Sequence, residues 1–342
     1  MSDPGEVVVF GATGFVGAAV ARALRARGAV VVQMSAPRLP PTGPERVEGA
    51  LGELTDDIAA LAQRLAGADC VVNAAGAAEA TSPDEDSLTA ANAMLPGYLA
   101  MAATLGGVPR FVHVSSAAVQ GRTRVLDSSP SVTPFSPYSR SKALGERLAR
   151  KAHTGTVVYR PPGVHGADRR VSRVMARVAR SPLSSVARPG TSPTPQTLLA
   201  NVGDAIAFLA TTTTQPPAIV AHPSEGLTTA GLLVLLGGRP PREVPRALAR
   251  VVVAVVTASA HAVPQVAANA RRLEMLWFGQ SQAPSWLTHA GWSPPAGRDA
   301  WQELGRLLAT GSGAPSGSGA SGASGGSGGP GSTHRGIRSD GS

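Results

Sequence analysis

Tyr138 and Lys142 stand four residues apart in Pro137-Tyr-Ser-Arg-Ser-Lys142. That spacing stacks both side chains on one face of a helix. The chain has 342 residues, three tyrosines and 31 basic residues, of which only Lys142 and Lys151 are lysine. Arg cannot replace Lys where a compact ammonium must reach a specific oxygen, so a lysine kept at this spacing points to chemistry. A free phenol titrates near ~10, too high for a base at neutral pH. An ammonium one turn away would favour the phenolate. Tyr138 would then take a proton from a hydroxyl, or give one to a carbonyl oxygen in reverse.

A second motif points to a bound nucleotide. Gly11-Ala-Thr13-Gly14-Phe15-Val16-Gly17 follows an apolar run, Glu6 to Phe10, and opens a helical stretch. Glycines permit a tight turn and bring a pyrophosphate close to backbone N–H groups at the helix N-terminus. In a strand–turn–helix setting this predicts dinucleotide binding.

The elements that must position these residues follow from periodicity. Strands are expected at Glu6–Phe10, Val30–Met34, Val47–Leu51, Asp69–Ala75, Arg110–Ser115 and Thr156–Arg160. Helices are expected at Phe15–Arg27, at Thr55–Leu65 with Thr55 as its cap, and at Tyr138–Ala152. Another is expected at Ser87–Leu105, where Pro96 must kink or restart it. The alternation predicts an α/β fold, a doubly wound parallel sheet of the Rossmann kind. Residues 1–162 would form the dinucleotide-binding domain, with 200–222 (a helix at Asn201–Ala210 and a strand at Ala218–Ala221) returning to it. A helix at Val171–Ala179 and short helices after Gly226 would belong to a substrate-binding cap, residues 163–199 and 223–309. Residues 310–342 are Gly/Ser-rich and are expected to be a disordered tail.

Composition excludes several classes. The net charge is +9 and the isoelectric point about 11.0, which would raise nucleic acid as a partner. The arginines are scattered singly, though, and aromatics are only 4%, so no nucleic-acid partner is expected. Cys70 is the only cysteine, which leaves no intrachain disulfide and no Cys-based metal site. The run Asp84-Glu-Asp86 reads as a helix start rather than a metal site, and His113 as a core residue. No basic-then-apolar leader opens the chain, and the run Val251 to Ala260 is too short to span a bilayer. A soluble, cytoplasmic protein with no membrane partner is the expectation.

With these motifs the chain resembles the extended short-chain dehydrogenase/reductase family, in its sugar epimerase/dehydratase/reductase branch. The likeness runs from about Val7 to Gly166, and more faintly to about residue 308. It rests on Gly11, Gly14 and Gly17, on Asp69-Cys-Val-Val-Asn-Ala-Ala75, on Asn92, on Ser115-Ser-Ala-Ala-Val-Gln-Gly121, on Pro137 to Lys142 followed by Glu146, and on Arg160-Pro-Pro-Gly-Val-His-Gly166. The resemblance implies a catalytic set of Tyr138, Lys142, Ser116 and Asn92, with Ser116 holding the substrate oxygen and Ser115 as the alternative. It implies a cofactor set of Gly11, Thr13, Gly14, Phe15, Val16, Gly17, Ser35, Arg38, Glu53, Leu54, Ala74, Ala75, Gly76, Lys142, Pro161, Gly163 and Val164. His165 and Arg169 follow the sixth strand, where relatives line the substrate pocket. A homodimer through the Asn92 and Tyr138 helices is a further family expectation.

The departures are informative. Dehydratases of the family place an Asp-Glu pair where Ala117 and Ala118 stand, so water elimination is not expected. NAD-preferring members carry an acidic residue where Ser35 stands; a small polar residue with Arg38 nearby suits a 2′-phosphate, which favours NADP over NAD. The expected function is an NAD(P)-dependent oxidoreductase that reduces a keto group on a sugar, nucleotide-linked or free. Open alternatives are an epimerase that retains NAD, a non-catalytic NAD(P)-sensing protein, and reduction of steroid- or flavonoid-type carbonyls.

Overall fold

The computed structural model describes residues 5–78, 84–259 and 264–310. In chain order it begins with β1 (Glu6–Phe10), α1 (Phe15–Ala26), β2 (Val30–Met34), α2 (Val47–Gly52), α3 (Thr55–Leu65) and β3 (Cys70–Asn73). Next come α4 (Glu85–Thr89), a π-helical turn (Ala90–Met94), α5 (Leu95–Leu105), β4 (Phe111–Val114), a 3-10 turn (Ala117–Gln120), β5 (Val125–Leu126), α6 (Pro137–Ala152) and β6 (Thr156–Arg160). The remainder holds β7 (Gly163–His165), α7 (Arg170–Arg180), β8 (Ser185–Ala187), β9 (Gln196–Leu198), α8 (Leu199–Thr211), β10 (Ile219–Ala221), α9 (Thr229–Gly237), β11 (Arg242–Val244), α10 (Arg246–Ser259), α11 (Pro264–Phe278), β12 (Ser281–Gln282), α12 (Trp286–His289) and α13 (Arg298–Thr310).

Six strands form one sheet in the order β10-β6-β4-β3-β1-β2, and every pair in it is parallel. Alternation along β1 divides the core. Val7 and Val9 join a cluster with Val20 and Leu24 of α1 and Val202 and Ile206 of α8. Val8 and Phe10 face the other way, onto Ile58 of α3, Leu99 of α5 and Leu148 of α6. Strands buried on both faces are what an all-parallel sheet requires, and they read as unbroken apolar runs. A third cluster lies outside the sheet, where α7, α9 and α13 meet around Trp301.

The expected strand at Val47–Leu51 is instead the short helix α2. Val47 and Leu51, four apart, are its buried residues, so the apolar spacing is helical. The sheet therefore ends on β2. Thr55 does not cap α3: it is the first helical residue, and Leu54 precedes it with no side-chain hydrogen bond. After Gly226 the helices are longer than the sequence pattern implied, with α10 and α11 spanning 14 and 15 residues. The Gly/Ser-rich segment beyond Thr310 lies outside the described residues.

Pro96 neither ends nor restarts its helix. The chain widens into a π turn just before it, and Leu95 N–H donates to the Ala90 carbonyl, five residues back. One extra residue in the turn accommodates a proline that has no N–H to donate. The whole stretch Glu85–Leu105 is long and apolar enough to cross a membrane, yet 78% of its most apolar window is buried inside the protein, so it serves as a core helix. The π turn also meets α6 closely. A Cβ on Gly145 would overlap the Asn92 carbonyl and lie 3.3 Å from Ala93 Cα.

Gly145→Ala is accordingly expected to destabilise the protein by about 1–3 kcal/mol through overpacking, read as a lower urea midpoint. Gly49→Ala, where an added Cβ meets nothing within 4 Å, is expected to be neutral or to stabilise α2 by about 0.5–1 kcal/mol. Equal effects at both positions would show that the helix contact is not tight.

Candidate active site

Because the strands are parallel, their carboxyl ends share one edge of the sheet. The chain leaves β1 toward β2 on one side and later returns to β3 on the other, which makes the β1/β3 boundary the switch point where such folds bind ligands. The glycine loop and Ala74–Gly76 flank that boundary. Gly11 has φ +77, and a Cβ there would sit 2.7 Å from Ala75 N. A Cβ on Gly17 would overlap the Gly11 carbonyl. Gly14 caps α1 with no side-chain hydrogen bond, and no acidic residue stands in the first turn. Such a helix start offers its N–H groups and positive dipole end to an anion. These residues fit a dinucleotide pyrophosphate. Thr13 and Gly14 are exposed at the loop tip, while Phe15 and Val16 are half-buried.

Ser35 leaves β2 one step beyond the Phe10–Met34 pair, beside the glycine loop; both it and Arg38 are exposed. Ala74 N–H bonds the Phe10 carbonyl and Ala75 N–H bonds Asn73 Oδ1, which fixes the turn after β3. Glu53 is exposed and Leu54 half-buried at the α2–α3 junction.

The start of α6 is set by its own sequence. Ser136 Oγ accepts from Ser139 N–H, Ser139 Oγ accepts from Ser136 N–H at 2.8 Å, and Pro137 occupies the first turn. This reciprocal cap places Tyr138 in the first turn and Lys142 one turn deeper. Tyr138 is half-buried. Lys142 is buried, and its Nζ donates to the Val114 carbonyl at the end of β4, at 3.1 Å. The same Nζ lies 3.1 Å from where a Gly76 Cβ would stand, and Asn92 Oδ1 lies 2.8 Å from it. Burial pushes the Lys142 ammonium down to about 8, against a pull upward from Glu146. Ser116 follows β4, is half-buried, and accepts from Ala118 N–H at 3.2 Å.

Asn92 is fully buried and acts as a brace. Its Oδ1 accepts from Ala77 N–H, and its Nδ2 donates to the Ala77 carbonyl and to Ser141 Oγ. The π turn, α6 and the segment after β3 are thereby held together. Sequence reasoning missed Ser141, Ala77 and Gly145 in this brace; Pro96 and the small residues of α6 were the available signals.

Several expected residues have partners of their own. Ser115 is buried and donates to Glu146 Oε1 at 2.5 Å, so it cannot also hold a substrate oxygen. Glu146 in turn forms a bidentate pair with Arg160, at 3.0 and 2.7 Å. His165 is buried, bonded to Gln196 Oε1 and Ser172 Oγ, and packed on Trp301; burial pushes its imidazole down to about 4. It is neutral at pH 7. Val164 is in the sheet core, Gly163 abuts the Gln196 side chain, and Pro161 accepts from Ala117 N–H through its carbonyl. His113 is a core residue as expected, bonded to Asn73. Asp84 caps α4 by accepting from Ser87 N–H. Arg169 is half-buried, with its guanidinium 5.1 Å from the Phe15 ring centroid.

This fold and loop define a dinucleotide-binding α/β protein. The model of the NAD dependent epimerase/dehydratase family matches residues 7–205, and the chain belongs to that family. No curated protein sequence matches it. Among solved structures, UDP-glucuronic acid 4-epimerase from Bacillus cereus, in complex with NAD, is 18% identical with a TM-score of 0.60, covering 89% of this chain and 99% of its own. A human epimerase family protein with NADPH is 22% identical with a TM-score of 0.61, covering 88% and 99%. A dTDP-4-dehydrorhamnose reductase from Bacillus anthracis, in complex with NADP, is 16% identical with a TM-score of 0.57, covering 90% and 99%. At these identities the likeness establishes the fold.

Two outcomes follow from the buried charges. Glu146→Ala strands Arg160 and is expected to cost about 3–5 kcal/mol, whereas Glu146→Met with Arg160→Met is expected to lose much less; urea unfolding separates them. The Lys142 pKa falls on folding, from 10.5 to about 8. The unfolded chain thus holds more protons between those values, and the stability contributed by this group rises with pH across that window. Unfolding at pH 8 and at pH 10 should show this rise shrinking in Lys142→Met; an unchanged rise would rule Lys142 out as its source.

Proposed function

We propose that this protein is an NAD(P)-dependent reductase of a sugar carbonyl, of the kind carried by a nucleotide sugar, with NADPH as its preferred cofactor. The observation that carries the reading is the placement of Lys142, whose buried ammonium points to the carboxyl edge between β3 and β4, beside Gly76 and one turn from Tyr138. When bound, the nicotinamide would supply the hydride. Lys142 would bind the adjoining ribose and favour the Tyr138 phenolate. Ser116 would hold the carbonyl oxygen, and Tyr138 would give it the proton. Ala117 and Ala118 offer no acid or base for eliminating water. Ser35 and Arg38, both exposed past β2, leave room and charge for a 2′-phosphate. Residues 163–199 and 223–309 would supply the substrate-binding walls.

Nucleotide content and binding test the reading. The purified protein is expected to be empty and to bind NADPH more tightly than NADH, with Arg38→Ser reducing that preference about tenfold. Tightly retained NAD would instead favour an epimerase. In a keto-sugar screen, Tyr138→Phe should lower kcat by about 10²–10⁴ while leaving NADPH binding intact.

A further inference from the structure

Helices α10 and α11 pack against each other, and a cavity of about 630 Å³ lies between them and the chain at Arg122. That volume is of the size that holds small molecules. Val253, Ala254 and Phe278 give it apolar walls. Arg122, Arg246, Arg250 and Glu274 give it charge. No residue placed in the candidate active site lines it.

The charge is unbalanced. Glu274 is the one carboxylate of the lining, and its Oε2 is shared between Arg122 Nε at 3.4 Å and Arg271 Nη1 at 3.0 Å. Between Glu225 and Glu274 the sequence holds a single acid, Glu243, and that one pairs with Arg188 at 3.1 Å. Among the described residues neither Arg246 nor Arg250 forms an ion pair. Both stand in the first two turns of α10, which has no acidic residue in its first turn. A helix start is already positive, so these cations are held against the dipole. One exposed arginine is ordinary solvated charge. Three around one apolar cavity, with a shared carboxylate between them and Arg271, make a place for an anion.

Two of the three are also fixed. The Arg246 guanidinium lies over the Phe278 ring, 5.5 Å from its centroid, and a guanidinium stacked by its face keeps its N–H edge for a ligand. Arg122 follows Gly121, whose carbonyl accepts from Arg271 Nη2 at 2.9 Å and Gln280 Nε2 at 3.2 Å. A carboxylate has two oxygens to offer. A phosphate monoester has three, with a charge of about −1.5 to −2, and so can meet guanidinium groups arriving from three positions. Leu248 and Val251, exposed on the same helix as Arg246 and Arg250, add apolar surface outside the cavity.

We propose that this cavity binds a phosphate monoester with an apolar body: Arg122, Arg246 and Arg250 take the phosphate, and the body lies against Val253, Ala254 and Phe278. A soluble ester and an anionic lipid headgroup share that chemistry. The site is separate from the reductase reading and does not depend on it.

Octyl phosphate titrated calorimetrically into the full chain is the test. It is expected to bind, with inorganic phosphate at least about tenfold weaker for want of an apolar body. Arg246→Gln with Arg250→Gln is expected to weaken octyl phosphate by about tenfold or more. Arg22→Gln with Arg25→Gln, an equal loss of charge on α1, should leave it within about twofold. Ala254→Glu, which puts a carboxylate at an exposed position of the lining, should weaken binding as the Arg246/Arg250 pair does. Sedimentation with vesicles then separates the sources. Binding to phosphatidic acid in phosphatidylcholine, absent with phosphatidylcholine alone and lost in Arg246→Gln with Arg250→Gln, assigns a lipid headgroup. Octyl phosphate binding without vesicle binding assigns a soluble ester. No binding of octyl phosphate overturns the proposal. So does binding that the Arg246/Arg250 pair and Ala254→Glu leave unchanged, or that the α1 pair weakens equally.

Discussion

The buried pair of Glu146 and Arg160 sets the geometry of everything around it. Two charges taken out of water are tolerated only when their hydrogen bonds are met nearly in full. Here Glu146 Oε1 accepts from Ser115 Oγ and Arg160 Nε, Oε2 accepts from Arg160 Nη2, and Arg160 Nη1 donates to the Ser129 carbonyl. Four separate segments are tied at one point: the ends of β4 and β6, the middle of α6, and the stretch after β5. Glu146 is one turn beyond Lys142 and two beyond Tyr138. Helix α6 cannot slide or roll without breaking the pair, so the depth of the ammonium and the reach of the phenol follow from it. The carboxylate also sustains the Lys142 charge against burial.

Close backbone approach complements that anchor. Gly145 brings α6 against the π turn, and Asn92 uses the approach to bond both Ser141 and Ala77. The extra residue that Pro96 imposes thus falls where the helix must present a side-chain amide inward, in line with the tendency of π turns to occur at functional positions. Polar groups so thoroughly paired make a rigid floor beneath the crevice, with Tyr138 and Ser116 left at its half-buried rim.

Much of this was legible in the sequence, for physical reasons. Strands buried on both faces, such as Val7–Phe10, are continuous apolar runs, and Gly11 closes this one. The Tyr138–Lys142 spacing needed only the period of a helix. Val47–Leu51 misled because two apolar residues four apart at the ends of a five-residue segment fit a strand and a helical turn alike; only the neighbours decide. His165 and Ser115 show a different limit. Sequence order placed them after the right strands, but whether a side chain turns toward the crevice or into the protein depends on partners such as Gln196, Ser172 and Glu146 that lie far away along the chain. Pro96 announced an irregularity without saying which kind.

The scarcity of lysine has a consequence for reagents rather than for folding. Of the two side-chain amines, one is exposed at Lys151, where it pairs with Glu48, and the other is the buried Lys142. The rest of the cationic surface is guanidinium, which acylating reagents leave alone at neutral pH. An amine-directed dye would therefore decorate the body of the protein at Lys151, while Lys142, with its depressed ammonium, is the better nucleophile held behind the poorer access. The rate at which it becomes acylated would then be a clock for how often the crevice opens, and a bound dinucleotide would stop that clock.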